Sequence, residues 1–204
     1  MKLYYSTGTC SLSPHIALHE AGLPFEAVAV NIRNHTLKDG SDYRQISPKG
    51  YVPLLQLDNG ETLTEGPAIV QYIADQVPDK LLAPTPGTWP RYKLQEWLNF
   101  ITAELHKSFS PLFNRQSPEE TKTQYRTKIS ERLAWVETQL AGRQFLTGDT
   151  FTVADGYLFT VCGWCQHVGV DIAQWPNLSA FMARVGERPS VKAALKGDGL
   201  IGLQ

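Results

Sequence analysis

Up to about residue 80 the chain switches between two hydrophobic periods. Lys2-Leu3-Tyr4-Tyr5 reads as a short strand and Gly8-Thr9 as a turn. Leu12 to Ala21 then reads as a helix with Ile16, Ala17, Leu18 and Ala21 on its apolar side. Phe25 to Val30 alternates like a half-buried strand, and Asp42 to Ile46 suits a short irregular helix. Val52 to Leu57 and Glu61 to Leu63 flank Asp58-Asn59-Gly60, a strong hairpin signal. A helix is predicted from Pro67 to Gln76, with Ala68, Ile69, Tyr72 and Ile73 as its apolar side. That order predicts a small α/β unit with mixed strand directions.

Pro78, Pro84, Pro86, Gly87 and Pro90 interrupt both patterns, and beyond them the chain reads as helices only. Arg91 to Ser108 carries Leu94, Trp97, Leu98, Ile101 and Leu105 at helical spacing; Glu119 to Leu140 has Ile129, Leu133, Val136 and Leu140 as its stripe. Thr152 opens an apolar helix to about Val168, and Asn177 to Glu187 and Val191 to Leu195 read as the last two. The division is therefore residues 1–80, a linker at 81–88, and an all-helical part at 89–204.

Composition narrows the class. The 204 residues carry a formal net charge of −1 with 19% charged residues, which gives no reason to expect a nucleic-acid or anionic-membrane partner. No apolar run approaches a membrane span, and the N-terminus enters a patterned strand without a leader-like segment. Three cysteines do not make a disulfide framework, so a reducing, cytoplasmic setting is expected.

Cys10 falls where the first strand turns into a helix. Unpaired amides and the helix dipole favour negative charge at such a place, and a cation beside it would lower a thiol pKa further. The alternative for a single cysteine is a buried structural role. Pro14 suits the first turn, where its missing N–H matters little. Cys162 and Cys165 have CxxC spacing, but the pattern puts them inside an apolar helix, away from an N-terminus. Packing is the expected role, with neither redox pair nor metal site. Thr152 and Asp155 match an N-capping box, a folding device.

Two further motifs accompany Cys10. Ser47-Pro48-Lys49-Gly50-Tyr51-Val52-Pro53 puts a proline at a strand entry, and Thr64-Glu65-Gly66-Pro67 ends the hairpin at a helix start. With Gly8-Thr9-Cys10-Ser11 these resemble the thioredoxin-like half of a glutathione transferase, most closely the bacterial beta class, whose members carry a cysteine at this turn. The resemblance spans essentially the whole chain. In the second half it adds Asn99, His106-Lys107, Phe151 to Asp155, and Glu187-Arg188-Pro189-Ser190-Val191. Ser47 departs from the asparagine that relatives often have, and Gly156 leaves Phe151 without the side chain that would complete a hydrophobic staple.

The resemblance implies a thioredoxin-like N-terminal domain followed by an all-α C-terminal domain, with glutathione as co-substrate and no other cofactor or metal. It implies a detoxifying transferase joining glutathione to small apolar electrophiles in a cleft between the domains. Thiol–disulfide exchange at Cys10 is a second possible reaction. A non-catalytic carrier of apolar ligands is the alternative. A proline held cis would let the Val52 backbone pair with glutathione's cysteinyl backbone, and Glu65 with Gly66 would hold the γ-glutamyl group. His35 stands where close relatives have a lysine reaching the glycyl carboxylate. Asn99, Ala103, Glu104, His106 and Lys107 would line the glutathione site from the helical domain, with His106 and Lys107 placing donors or positive charge near the thiol. Ser11 and Tyr5 are reserve hydroxyls for stabilising a thiolate. A homodimer is implied, meeting at the helix that bears Asn99 and Glu104, either of which would reach the partner's γ-glutamyl group.

Overall fold

The computed structural model describes residues 1–200, which fold into two compact units: Met1–Ala83 together with residues 188–200, and Pro84–Glu187. In the first unit β1 (Lys2–Tyr5), β2 (Glu26–Asn31), β3 (Thr36–Leu37), β4 (Leu54–Gln56) and β5 (Thr62–Thr64) form one sheet, ordered β3-β2-β1-β4-β5. The β1–β2 pair is parallel and the remaining pairs are antiparallel. Helix α1 (Leu12–Ala21) is the crossover that a parallel pair requires, and α2 (Gly66–Asp75) follows β5. Side chains alternate as the strand period demands. Tyr4, paired with Leu54, joins Val30 and Tyr43 in one buried cluster, while Leu3, paired with Leu55, is buried on the other face. Helix α1 packs against α2, and their apolar sides, Ile16 to Leu18 and Ile69 to Ala74, are the buried ones. Gly22 stops α1 with a left-handed φ of 68°, and the Leu23 N–H reaches back to the Leu18 carbonyl at 3.3 Å. The two-residue β3 was not foreseen, being too short to leave a period.

The second unit holds α3 (Trp89–Phe100), a π-helical stretch over Ile101–His106, α4 (Lys107–Phe113), α5 (Glu119–Leu140), α6 (Val153–Cys162), α7 (Cys165–Val168) and α8 (Pro176–Gly186). Leu94, Leu98, Ile101, Leu105 and Phe109 bury one side of the α3–α4 rod, and the predicted stripe of α5 is buried throughout. Residues 97, 101, 105 and 109 step by four, which outruns 3.6 residues per turn. The wider π turns keep those side chains facing the core, which is why one continuous helix to Ser108 is not what forms. Glu137 of α5 caps α8, accepting the Asn177 and Leu178 N–H groups at 3.0 and 2.8 Å.

The division of the chain differs from the expected one at its end. Helix α9 (Pro189–Gly197) belongs with the first unit, packed against α1. The Arg188 guanidinium forks onto the Glu20 carboxylate at 2.5 and 2.8 Å, with the Ser190 hydroxyl on the same group. Burial pushes the Glu20 carboxyl up, but these donors outweigh it and hold the group below its usual range. His15 and Asp198, both buried, meet at 2.6 Å. No helix among the described residues is long and apolar enough to cross a membrane, and none of them form a cluster of three or more metal-ligating side chains.

Candidate active site

The strand-to-helix turn after β1 is built on Ser11. Its buried hydroxyl donates to the Ser6 carbonyl at 3.1 Å, accepts the Ser6 N–H at 3.1 Å, and bonds the Thr9 hydroxyl at 2.7 Å. Those bonds make Ser11 the brace of the turn. The Tyr5 hydroxyl donates to the Gly197 carbonyl at 3.3 Å, and burial with the nearby Asp198 carboxylate raises its pKa. Cys10 stays partly exposed between these braces, and its Sγ lies 3.6 Å from the Val52 carbonyl oxygen. The first-turn amides expected to face it are committed, Leu12 N–H to the Thr9 carbonyl and Ser13 N–H to the carbonyl of Cys10 itself, each at 3.2 Å.

The Val52–Pro53 peptide bond is cis. The loop leading to it turns at Ser47–Gly50, where the Gly50 N–H donates to the Ser47 carbonyl at 2.8 Å and Gly50 adopts a φ of 69°. Ser47 is buried, and its hydroxyl donates to the Tyr51 carbonyl at 3.4 Å, so the serine found here serves the turn. His35 braces the same loop. A carbonyl can only accept, so the His35 Nδ1, 3.2 Å from the Gly50 oxygen, is the donor. A Cβ on Gly50 would stand 2.7 Å from that Nδ1, so the close approach requires glycine.

Glu65 caps α2 with φ 69° and ψ 110°, a conformation that L-residues rarely adopt. Its carboxylate meets the Lys49 ammonium at 2.8 Å, and Lys49 also donates to the Thr64 hydroxyl at 3.2 Å. Lys49 thus joins the Pro53 loop to the Glu65 turn, a contact that the spacing along the chain does not indicate. A Cβ on Gly66 would lie 4.0 Å from the Pro53 ring, ordinary contact, which places the helix start beside the cis-proline. The first unit thus brings together Cys10, Val52, Pro53, Glu65 and Gly66, with Lys49 on the loop that leads to Pro53 and His35 bracing that loop from the β2–β3 turn.

The other foreseen residues lie in the second unit. Asn99, Ala103 and Lys107 are exposed. Glu104 is engaged within its own unit: Arg132 of α5 donates to it at 2.9 Å and Lys128 stands at 3.8 Å, and the Arg132 bond leads in lowering its pKa. Of the two roles expected for His106, a donor and a positive charge, burial disfavours the charge. Burial, with the Lys107 charge adding to it, lowers the imidazole to about 4, so the ring is neutral at pH 7. His106 Nδ1 and the Tyr157 hydroxyl are 2.7 Å apart, and the His106 ring stacks edgewise on Trp164 at 5.0 Å. Trp164 also meets Phe109 and Phe113, at 5.5 and 5.9 Å, and Phe113 is half exposed. The sequence reading missed this aromatic wall, although 106, 109 and 113 share one face of the α4 rod.

Cys162 and Cys165 are not inside a helix, as had been expected. Cys162 ends α6 and Cys165 begins α7. Their packing role stands on burial instead, which raises Cys162 well above the usual thiol range and pushes Cys165 up to about 12. The capping box forms. Asp155 accepts the Thr152 N–H at 2.7 Å, the Thr152 hydroxyl at 2.9 Å and the distant Leu146 N–H at 2.8 Å. Phe151, lacking a staple partner at Gly156, packs edge-on against Phe145 at 5.7 Å.

Residues 7–76 match the model of the glutathione S-transferase N-terminal domain, and residues 100–189 that of the C-terminal domain. The chain is 46% identical over 200 residues to glutathione S-transferase GstA of Escherichia coli O157:H7, covering 98% of this chain and all of that protein. It is 48% identical to the beta class glutathione S-transferase of Sphingomonas chungbukensis, with a TM-score of 0.95 over 98% of this chain and all of that one. A sphingomonad glutathione S-transferase solved in complex with glutathione is 46% identical, with a TM-score of 0.95 and the same coverage. The chain is similar to bacterial beta class members and belongs to the glutathione S-transferase family.

Proposed function

We propose that the protein is a glutathione transferase that binds glutathione along the Pro53 loop and the Glu65 turn and joins its sulfur to small apolar electrophiles. The observation that carries the reading is the meeting, within one unit, of the Cys10 thiol, the Val52 carbonyl and the Glu65 turn. Glutathione's cysteinyl backbone would pair with Val52 as an added strand, and the γ-glutamyl ammonium would meet Glu65. The relative solved with glutathione, at 46% identity, supports this ligand. Within the second unit, the His106–Phe109–Phe113–Trp164 wall is an apolar face of the kind that small apolar molecules bind. In the reaction, glutathione's thiol loses its proton, the thiolate sulfur bonds the electrophilic carbon, and the leaving group departs with its electron pair.

Cys10 supports a second reaction at the same place. Its thiolate would attack oxidised glutathione, forming a mixed disulfide on Cys10 and releasing one glutathione thiolate. The reading places the protein in the cytoplasm, in detoxification, and as a homodimer. Trp89 and Tyr92 support the dimer: they are 75% and 55% exposed on α3, on the helical face that also carries Asn99.

Turnover of chlorodinitrobenzene with glutathione tests the enzyme reading; glutathione binding without turnover would favour a carrier. Cys10→Ser separates the two reactions. The variant should lose the glutathionyl adduct formed with oxidised glutathione while keeping part of the conjugation. Complete loss of conjugation in a folded variant that still binds glutathione would make Cys10 central to both.

A further inference from the structure

We propose that Lys49 and Glu65 together seat the zwitterionic end of the γ-glutamyl group, with Lys49 taking its α-carboxylate and Glu65 its α-ammonium. The inference rests on the glutathione reading above and assigns a specificity-determining role to Lys49. Lys49 occupies the third position of the Ser47–Gly50 turn, where Pro48 fixes the second position and the closing hydrogen bond is 2.8 Å long. His35 holds the Gly50 carbonyl behind it. The Lys49 stem therefore leaves from a fixed point, and its ammonium reaches Glu65 at 2.8 Å and Thr64 at 3.2 Å.

The helix start alone supplies little for a carboxylate. The Glu65 carbonyl takes the Ala68 and Ile69 N–H groups at 2.9 and 3.0 Å, and Pro67 has no N–H, which leaves the Gly66 amide for an anion. A carboxylate accepts at several lone-pair sites, and the Lys49 ammonium standing beside that amide meets the remainder. The arrangement of charge is complementary. The protein offers a cation and an anion side by side, and the γ-glutamyl head brings an anion and a cation of the opposite order. Both side chains are more than half exposed, so the existing ion pair is screened and weak. Exchanging one screened contact for two with the ligand is favourable. The opposite arrangement, in which Lys49 competes with the ligand's ammonium for Glu65, differs in sign.

The test uses the full chain and varies glutathione against a fixed apolar electrophile. Lys49→Met should raise the KM for glutathione about tenfold, the order expected for one charge-assisted hydrogen bond, with kcat nearly unchanged. Lys49→Arg should restore most of the affinity. A glutathione analogue with the α-carboxylate converted to a carboxamide should bind the parent weakly and show no further penalty with Lys49→Met. An analogue lacking the α-amine should show the full penalty. A fall in KM with Lys49→Met would identify Lys49 as a competitor and overturn the proposal. So would an unchanged KM, or an equal penalty on the carboxamide analogue. Glu65→Gln separates the layers. If that variant binds glutathione like the parent, the glutathione site itself is misplaced; if it is impaired while Lys49→Met is silent, only the role of Lys49 fails.

Discussion

His106 offers a sharp test, because burial sets its charge state and that charge state makes the stability of the fold depend on pH. Burial and the Lys107 ammonium bring the imidazole from its ordinary value of 6.5 to about 4. A folded value below the unfolded one means that the unfolded chain binds the proton first. The contribution is thus present above about 6.5 and is lost as pH falls toward 4. At pH 5 the difference amounts to about 2 kcal/mol against the folded state, and at pH 7 it nearly vanishes. Asp155 works in the other direction: burial pushes its carboxyl up to about 6 from 3.8, despite three donors, so its share of stability is present at low pH and is lost as pH rises through 6. Over the same interval it offsets about 1 kcal/mol of the His106 loss as the pH is lowered. The parent's own pH curve is therefore flatter than either group alone would give.

Subtraction isolates the histidine. Denaturant unfolding of the parent and of His106→Gln, at one protein concentration and at pH 7 and 5, should show the parent losing about 2 kcal/mol more than the variant on acidification. Nitrogen NMR of the imidazole in the parent should give a midpoint near 4. A midpoint at or above 6.5, or parallel stability curves for the two proteins, would refute the assignment of a neutral, buried imidazole.

Two further outcomes are expected. Gly50→Ala should destabilise by about 2 kcal/mol, from the left-handed backbone and the displaced His35 bond, and weaken glutathione binding in calorimetry. In a His35→Ala background the same change should lose about 1 kcal/mol less, a non-additivity that two independent sites would not show. Thr152→Ala should lose about 1 kcal/mol and Asp155→Ala about 3 kcal/mol, since the latter strands three buried donors, with glutathione affinity unchanged; parent-like melting with lost binding would move both into the site.

The elements that repeat a period were legible. Residues 12–21 and 119–140 form helices with the bounds and buried stripes that their spacing indicates, because burial of one face is a local pattern. The ligand motifs were legible by order: Cys10, Pro53 and Glu65 lie far apart along the chain, and the sheet brings their turns together. Long-range pairing was not. Nothing near Glu20 announces Arg188, so the return of α9 to the first unit stayed hidden. The charge of His106 was misjudged for the same reason, since burial and the Tyr157 contact are set by the folded unit and not by neighbours in sequence. The hydrogen bonds of Ser11 and Tyr5 were equally illegible, because a hydroxyl's identity says nothing about where its hydrogen bonds go.

Backbone strain explains why this site is shaped before a ligand arrives. Among the described residues, His35, Glu65 and Leu81 are the non-glycine residues with positive φ. Two of them flank the Pro53 loop. Such conformations cost on the order of 1–3 kcal/mol each and persist only where neighbours over-determine them. For His35 the neighbours are visible: its carbonyl accepts the Tyr43 N–H at 2.8 Å, and its ring clamps Gly50. Glu65 is fixed by α2, whose Ala68 and Ile69 amides hold its carbonyl. The rigid parts are thus backbone, while the charged ends of Lys49 and Glu65 are exposed and free to exchange partners. That division suits a ligand that is itself a flexible peptide. Fixed backbone lowers the entropy lost on docking, and a weak, screened ion pair lets the ligand's charges enter without leaving a buried charge unpaired.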